Sequence, residues 1–162
     1  MLPPTPVASD VCPPLPTDLY FLRNGELWVC LAEGGALDEI SAAETAEGTA
    51  ILDYRVAADR RYLAYVTDRG ELFFLDRALR EHRRLPTSGR LLGPTGVHFA
   101  ISSDAGTLIY LAWDVQPMRG ALQASNGASG TLLALDLNNP KARQQEIGFC
   151  RGVPDRPCMG FN

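Results

Sequence analysis

Apolar and aromatic residues come along this chain in short runs, each stopped by a turn residue before it reaches helical length. Across residues 53–86 the runs are Tyr54-Arg55-Val56, Tyr62-Leu63-Ala64-Tyr65-Val66 and Leu72-Phe73-Phe74-Leu75, rich in the types that neighbouring antiparallel strands use. Asp68-Arg69-Gly70 puts glycine where a tight hairpin needs positive φ. The two central runs are apolar at consecutive positions, which predicts a sheet covered on both faces. A fourth run, His82-Arg83-Arg84-Leu85, is charged, as suits an outer edge kept from pairing with other chains. Residues 53–86 therefore read as one four-stranded unit.

The unit recurs. Residues 19–31, Leu-Tyr-Phe-Leu-Arg-Asn-Gly-Glu-Leu-Trp-Val-Cys-Leu, lie on residues 62–76, with Asn24-Gly25-Glu26-Leu27 on Arg69-Gly70-Glu71-Leu72. Residues 108–113 and 130–136 supply a third pair. Gly25 and Gly70 are 45 positions apart and Gly70 and Gly130 are 60, an excess that an insertion over 115–129 explains. A period of about 40–45 residues is that of a propeller blade.

Two phrases carry a family resemblance: Ala58-Asp59-Arg60-Arg61-Tyr62-Leu63-Ala64-Tyr65 and Ile101-Ser102-Ser103-Asp104-Ala105-Gly106-Thr107-Leu108-Ile109-Tyr110. Each is followed by Gly-x-Leu and an apolar strand ending in Asp. They resemble the blades of TolB-like and WD-like β-propellers over residues 17–149. TolB-like blades carry Ser-Pro-Asp-Gly before the second strand, where this chain has Ala-Ala-Asp-Arg and Ser-Ser-Asp-Ala-Gly. The resemblance implies an all-β fold of antiparallel four-stranded blades, with the inner strand of each lining a channel. The blades expected are 18–41, 51–86 and 96–149. About three blades make an incomplete propeller, because rings close with about four to eight.

Outside the repeats, residues 1–17 hold six prolines and predict an extended, polyproline-like arm, either a linker or a ligand for an aromatic groove. Glu33, Asp38, Glu39, Glu44 and Glu47 form an acidic patch around a weak third strand over 37–40. Residues 42–50 are either loop or one helical turn. Residues 87–95 connect to an inner strand over 97–101. Residues 114–130 are too long for a tight hairpin and too polar for a core element. They predict a surface loop, either a tolerated insertion or an interaction loop through Gln116, Met118, Arg119 and Asn126. A last strand is expected over 144–149, and the tail 150–162 is irregular.

With 162 residues, 46% of them hydrophobic, the chain can bury a core, and its net charge of −4 argues against nucleic acid as a partner. No run reaches the length of a membrane span, and no signal peptide follows Met1. A tether to a membrane would act through the N-terminal arm, and the targeting segment of an exported protein would lie outside these residues. Four cysteines, two in proline-rich tails, suggest an oxidising, extracytoplasmic compartment. Cys150 and Cys158 are close enough for a local disulfide. Cys12 reaches Cys30 if the arm folds back; otherwise Cys30 is a small core residue.

Chemistry is scarce. No paired C-x-x-C or histidine at ligand spacing suggests zinc, no G-x-S-x-G elbow suggests a serine nucleophile, and no glycine-rich loop suggests a phosphate cofactor. His98 reads as a core or channel residue, and Asp53, Asp59 and Asp104 fall at turns, where hydrogen bonding explains them. Arg77, Arg80, Arg83 and Arg84, with Arg90, form a basic edge that either stays in solvent or meets the acidic patch of a neighbouring protomer.

The expectation is a non-enzymatic, exported interaction or assembly module without a cofactor, whose exposed blade faces are covered by a protein partner or another copy. The alternatives are a propeller segment of a larger serine hydrolase or peptidase, as resemblance to prolyl-oligopeptidase-type propellers allows, and a small-ligand-binding module.

Overall fold

The computed structural model describes residues 11–40, 48–93, 96–113, 129–139 and 144–151, and among them every regular element is a strand. Contacts divide the chain into two compact units, Met1–Ile51 and Leu52–Asn162.

The first unit contains β1 (Val11–Cys12), β2 (Leu19–Arg23), β3 (Glu26–Cys30), β4 (Gly35–Ala36) and β5 (Asp38–Glu39). Its main sheet has the order β2-β3-β5, and β1 pairs with β4. Asn24 and Gly25, at φ 56° and 81°, make the two-residue turn joining β2 to β3, the conformation an Asn-Gly pair favours because its twist matches the strands. Gly25 is also required sterically: a Cβ there would come within 2.7 Å of the Ala50 side chain.

The described part of the proline-rich stretch does not extend away from this sheet. Cys12 is bonded to Cys30 across a Cα–Cα distance of 5.5 Å, the Leu15 amide donates to the Ala32 carbonyl at 2.8 Å, and the Ala32 amide donates to the Asp18 carboxylate at 2.9 Å. The disulfide supplies an anchor that proline, lacking an amide hydrogen, cannot.

The second unit is two four-stranded antiparallel sheets. One runs β6 (Ile51–Val56), β7 (Tyr62–Thr67), β8 (Leu72–Asp76) and β9 (Glu81–Arg84); the other runs β10 (Phe99–Ile101), β11 (Thr107–Trp113), β12 (Ser129–Asp136) and β13 (Gln145–Arg151). Each strand neighbours the next in sequence, the meander expected from the repeat. Asp68-Arg69-Gly70 closes β7–β8 with Gly70 at φ 75° and its amide bonded to the Thr67 carbonyl at 2.9 Å. A bulge at Leu132/Leu133 breaks the register between β12 and β13.

The two sheets share one core. Ala64, Val66, Leu72 and Phe74 of the β6–β9 sheet pack with Phe99, Leu108, Tyr110, Leu133 and Leu135 of the β10–β13 sheet. Full burial of side chains this size stabilises by about 1.5–3 kcal/mol each. On the opposite face of β7 and β8, Leu63, Tyr65, Thr67, Phe73 and Leu75 are also buried, so this sheet is covered on both sides, as its consecutive apolar positions require.

Polar contacts fix the junction. The Arg83 guanidinium donates to the Leu137 carbonyl at 2.7 Å and lies over the Phe74 ring at 5.4 Å. The Ser88 amide donates to the Tyr110 hydroxyl at 3.0 Å, and burial pushes the Tyr110 phenol pKa above its usual value. Gln144 reaches the Pro86 carbonyl.

Candidate interaction surfaces

The carboxylates at turns bind backbone. Asp59 accepts from the Arg61 amide at 3.0 Å. Asp104 accepts from the Ser102 hydroxyl at 2.6 Å and the Gly106 amide at 3.0 Å, and those bonds, Ser102 foremost, lower its pKa. Asp76 is gripped by Arg61, whose Nη2 lies 2.7 Å from Oδ2 and whose Nε lies 3.1 Å from Oδ1. That forked bond is the main reason the Asp76 pKa falls below the ordinary aspartate value. Asp53, expected at a turn, lies instead within β6, where it accepts from the Tyr54 amide at 2.8 Å and from the exposed Arg55 at 2.6 Å. Asp59 and Asp104 brace their own turns, and the Arg61–Asp76 bond ties the start of β7 to the end of β8.

The basic edge is largely engaged within its own unit. Arg83 crosses to the adjacent sheet as described, Arg77 donates to the Arg60 carbonyl at 2.9 Å, and Arg84 pairs with Glu71 at 3.1 Å. Arg80 sits exposed in the turn into β9 at φ 52°. In the acidic patch, Glu33 and Glu39 are exposed and Asp38 is half-buried. Glu44, Glu47, the loop candidates Gln116, Met118, Arg119 and Asn126, the Cys150 side chain and Cys158 lie outside the described residues.

The histidines do ring packing. His82 Nδ1 is 3.1 Å from the Tyr65 hydroxyl, and His98 tilts toward the Trp113 indole at 6.3 Å. Trp113, which the sequence offers only as one more strand residue, is bridged to Arg90 and seated against the Cα of Gly93. Among the described residues no cluster of three His, Cys, Asp or Glu side chains is placed to hold a metal, and no helix is long and apolar enough to cross a membrane.

The surface that stands out is a face of the β10–β13 sheet. Cross-strand register makes the three hairpins directly comparable: Ala64 pairs with Phe74, Ile109 with Ala134, and Tyr20 with Val29. In the β6–β9 sheet the Ala64/Phe74 face is buried under the next sheet, Ala64 at 0% exposure and Phe74 at 9%. One repeat further on, the same face presents Ile109, Leu132 and Ala134 only half-buried and Ala100 exposed, around a small buried cluster of Leu111 and Trp113. Ala64 and Leu72, both at 0% exposure, thus have the partly exposed Ile109 and Leu132 as counterparts one blade on. The sequence predicts exposed blade faces without saying which: Leu108-Ile109-Tyr110-Leu111-Ala112-Trp113 is apolar at every position, so no alternation marks this one.

The register also identifies the opposite face of each hairpin. Tyr65 pairs with Phe73, Tyr110 with Leu133, and Phe21 with Trp28. Tyr65 and Phe73 are stacked at 5.2 Å and buried. Phe21 and Trp28 are half-buried, beside Leu19 at 51% exposure.

No protein-family model matches the chain, and no curated protein matches it. Solved structures do. The tricorn protease superposes with a TM-score of 0.58 at 12% identity over 84% of this chain and 12% of its own. An oligogalacturonate lyase from Vibrio parahaemolyticus gives 0.54 at 15% identity over 76% of this chain and 33% of its own. An oligogalacturonate lyase in complex with manganese gives 0.56 at 14% identity over 80% of this chain and 40% of its own. The chain therefore spans well under half the length of each. These proteins have β-propeller folds, and at such identities the likeness shows the fold alone: a propeller-like arrangement of antiparallel blades, without singling out the TolB or WD type.

Proposed function

With a propeller-type segment established as the fold, we propose that this chain is a non-enzymatic protein-interaction or assembly module that works outside the cytoplasm and docks through its blade faces. The observation that carries the reading is the contrast between Ala64/Phe74, buried under the next sheet, and Ile109/Ala134, the same pair one repeat later and partly open to water. A sheet face of this kind marks an interaction site. The Cys12–Cys30 disulfide supports an oxidising compartment, where such bonds persist, and the internal engagement of Arg77, Arg83 and Arg84 leaves the apolar face as the stronger docking surface.

The experiment is site-specific photocrosslinking in the native source. A crosslinker at Ala134 should join the chain to a protein, and one at the exposed turn residue Asp59 should not. Equal labelling from both positions, or none from Ala134, would end the reading.

A second reading is favoured by the lengths of the structural neighbours. The protease and the lyases are enzymes of which a chain like this one forms 12–40%, so the chain would be the propeller segment of a larger hydrolase or lyase. Hydrolytic activity requiring the same polypeptide, with a catalytic domain beyond these residues, would select it.

A further inference from the structure

We propose that the outer edge of β2 takes up one extended strand of a different protein, laid antiparallel along residues 19–22. This docking site is separate from the blade faces and does not depend on them.

Each sheet of the second unit begins with an inner strand, β6 or β10, beside the strand that follows it, whereas the main sheet of the first unit begins at β2. Register matches β2 to β7 and β11: Leu19 takes the place of Leu63 and Leu108, and Leu22 the place of Val66 and Leu111. All four counterparts are buried, while Leu19 is 51% exposed and Leu22 36%. Among the described residues no strand lies on that side of β2.

The backbone of β2 is set to receive one. The Asn24-Gly25 turn closes on the Arg23/Glu26 pair, and the Leu27 carbonyl accepts from the Ile40 amide on the far side of β3. Alternation then turns the amides and carbonyls of Tyr20 and Leu22 away from β3. Leu111, the counterpart of Leu22, uses its amide in this direction, donating to the His98 carbonyl at 3.0 Å. An added strand makes the same kind of bond to β2, its main chain supplying affinity and its alternate side chains specificity.

The chain's own residues for this position are held elsewhere. Tyr20 and Ile109 are 89 positions apart, a spacing that puts the counterpart of β10 at residues 10–12. Of these, Val11 and Cys12 form β1, which pairs with β4 and is tied to Cys30 by the disulfide. Pro13, Pro14 and Pro16 follow, and proline donates nothing to a ladder. The stretches outside the described residues contain no two adjacent β-branched or aromatic residues, so their sequences argue for no strand. Every described strand of a second copy is already committed to a sheet, which leaves an extended segment of another protein as the occupant.

The probe is a capped synthetic peptide of residues 96–103, which contains β10, titrated into the whole chain by calorimetry. It should bind. N-methylation at its Ala100 position, whose amide faces the receiving strand in the β10–β11 pairing, should weaken binding about tenfold or more, and at its Phe99 position, whose amide faces away, by less than about threefold. In the protein, Leu22→Pro removes the outward amide without touching the ladder to β3 and should cost about tenfold, whereas Leu22→Ala keeps that amide and should stay within about threefold. Far-ultraviolet circular dichroism matching the unsubstituted chain confirms folded variants; where Leu22→Pro fails to fold, the two methylated peptides decide. No binding up to about millimolar peptide overturns the proposal, as does equal loss from both methylations. Sedimentation showing a parent dimer that Leu22→Pro dissociates would make the occupant a second copy and overturn its assignment to another protein.

Discussion

Arg60 and Ala105, 45 positions apart in the chain, hold the same left-handed backbone, φ 59° and 54°, at the same place in the same turn. The Arg60 amide donates to the Ala57 carbonyl and the Ala105 amide to the Ser102 carbonyl, each at 2.9 Å; the Ala57 amide then reaches Tyr62, and the Ser102 amide Thr107. This is the position that glycine takes in the Ser-Pro-Asp-Gly turn of the blades the sequence resembles. A side chain there crowds its own backbone.

Ala105→Gly should therefore stabilise the chain, by about 0.5–1 kcal/mol, because relief of the left-handed strain outweighs the extra freedom of the unfolded glycine. Urea denaturation reads this as a higher midpoint at unchanged slope. A lower midpoint would mean that the methyl group, 5% exposed, contributes more by packing than its conformation costs.

Arg83 and Arg84 adjoin in sequence and should differ in consequence. Arg83→Ala removes the charged hydrogen bond to the Leu137 carbonyl and the cover over Phe74, a loss of about 1.5–3 kcal/mol. Arg84→Ala breaks a pair whose arginine is 68% exposed, worth about 0–1 kcal/mol. Thermal unfolding of the two variants decides; equal losses would contradict the structural role assigned to Arg83.

Removing the disulfide should loosen the first unit. The bond joins residues 18 positions apart, a loop length for which cross-linking contributes about 3 kcal/mol. Cys12→Ser with Cys30→Ser, or a reductant on the parent, should lower the denaturant midpoint followed by fluorescence of Trp28, isolated by Trp113→Phe. An unchanged midpoint would show that the hydrogen bonds of Leu15 and Ala32 hold the segment without it.

Acid should destabilise the fold through Asp76 and Asp104, whose pKa values lie below the ordinary aspartate range because Arg61 and Ser102 bond the ionised forms. A carboxylate with a lowered folded-state pKa stabilises above the unfolded value, and that contribution is lost as pH falls through about 4 and below. Asp76→Asn should flatten the dependence of stability on pH between about 5 and 2 while lowering stability at neutral pH. Unfolding midpoints across that range check it; a curve parallel to the parent's would remove Asp76 as a cause.

Gly93→Ala places a methyl on the Trp113 indole. Overpacking of this kind costs about 1–3 kcal/mol, visible as a lower midpoint with an altered Trp113 emission in a Trp28→Phe background. An unchanged emission would place the strain elsewhere.

Much of the fold was legible before the structure, and for local reasons. Asn24-Gly25 and Asp68-Arg69-Gly70 set their hairpins through positive φ, and consecutive apolar residues over 62–66 and 72–75 required a sheet buried on both faces. Those are properties of neighbouring residues, so the alternation of strand and turn and the period of the repeat followed from sequence alone. Three matters depended on residues far apart in the chain. Cys30 could have been a core residue until the folded-back segment brought Cys12 to it. Arg83 read as one more exposed edge charge until the neighbouring sheet put a carbonyl in its reach. Ile109 and Ala134 were indistinguishable from Ala64 and Phe74 as strand residues, because burial is decided by what lies across a sheet face, and nothing in the local order of side chains records which faces find a neighbour.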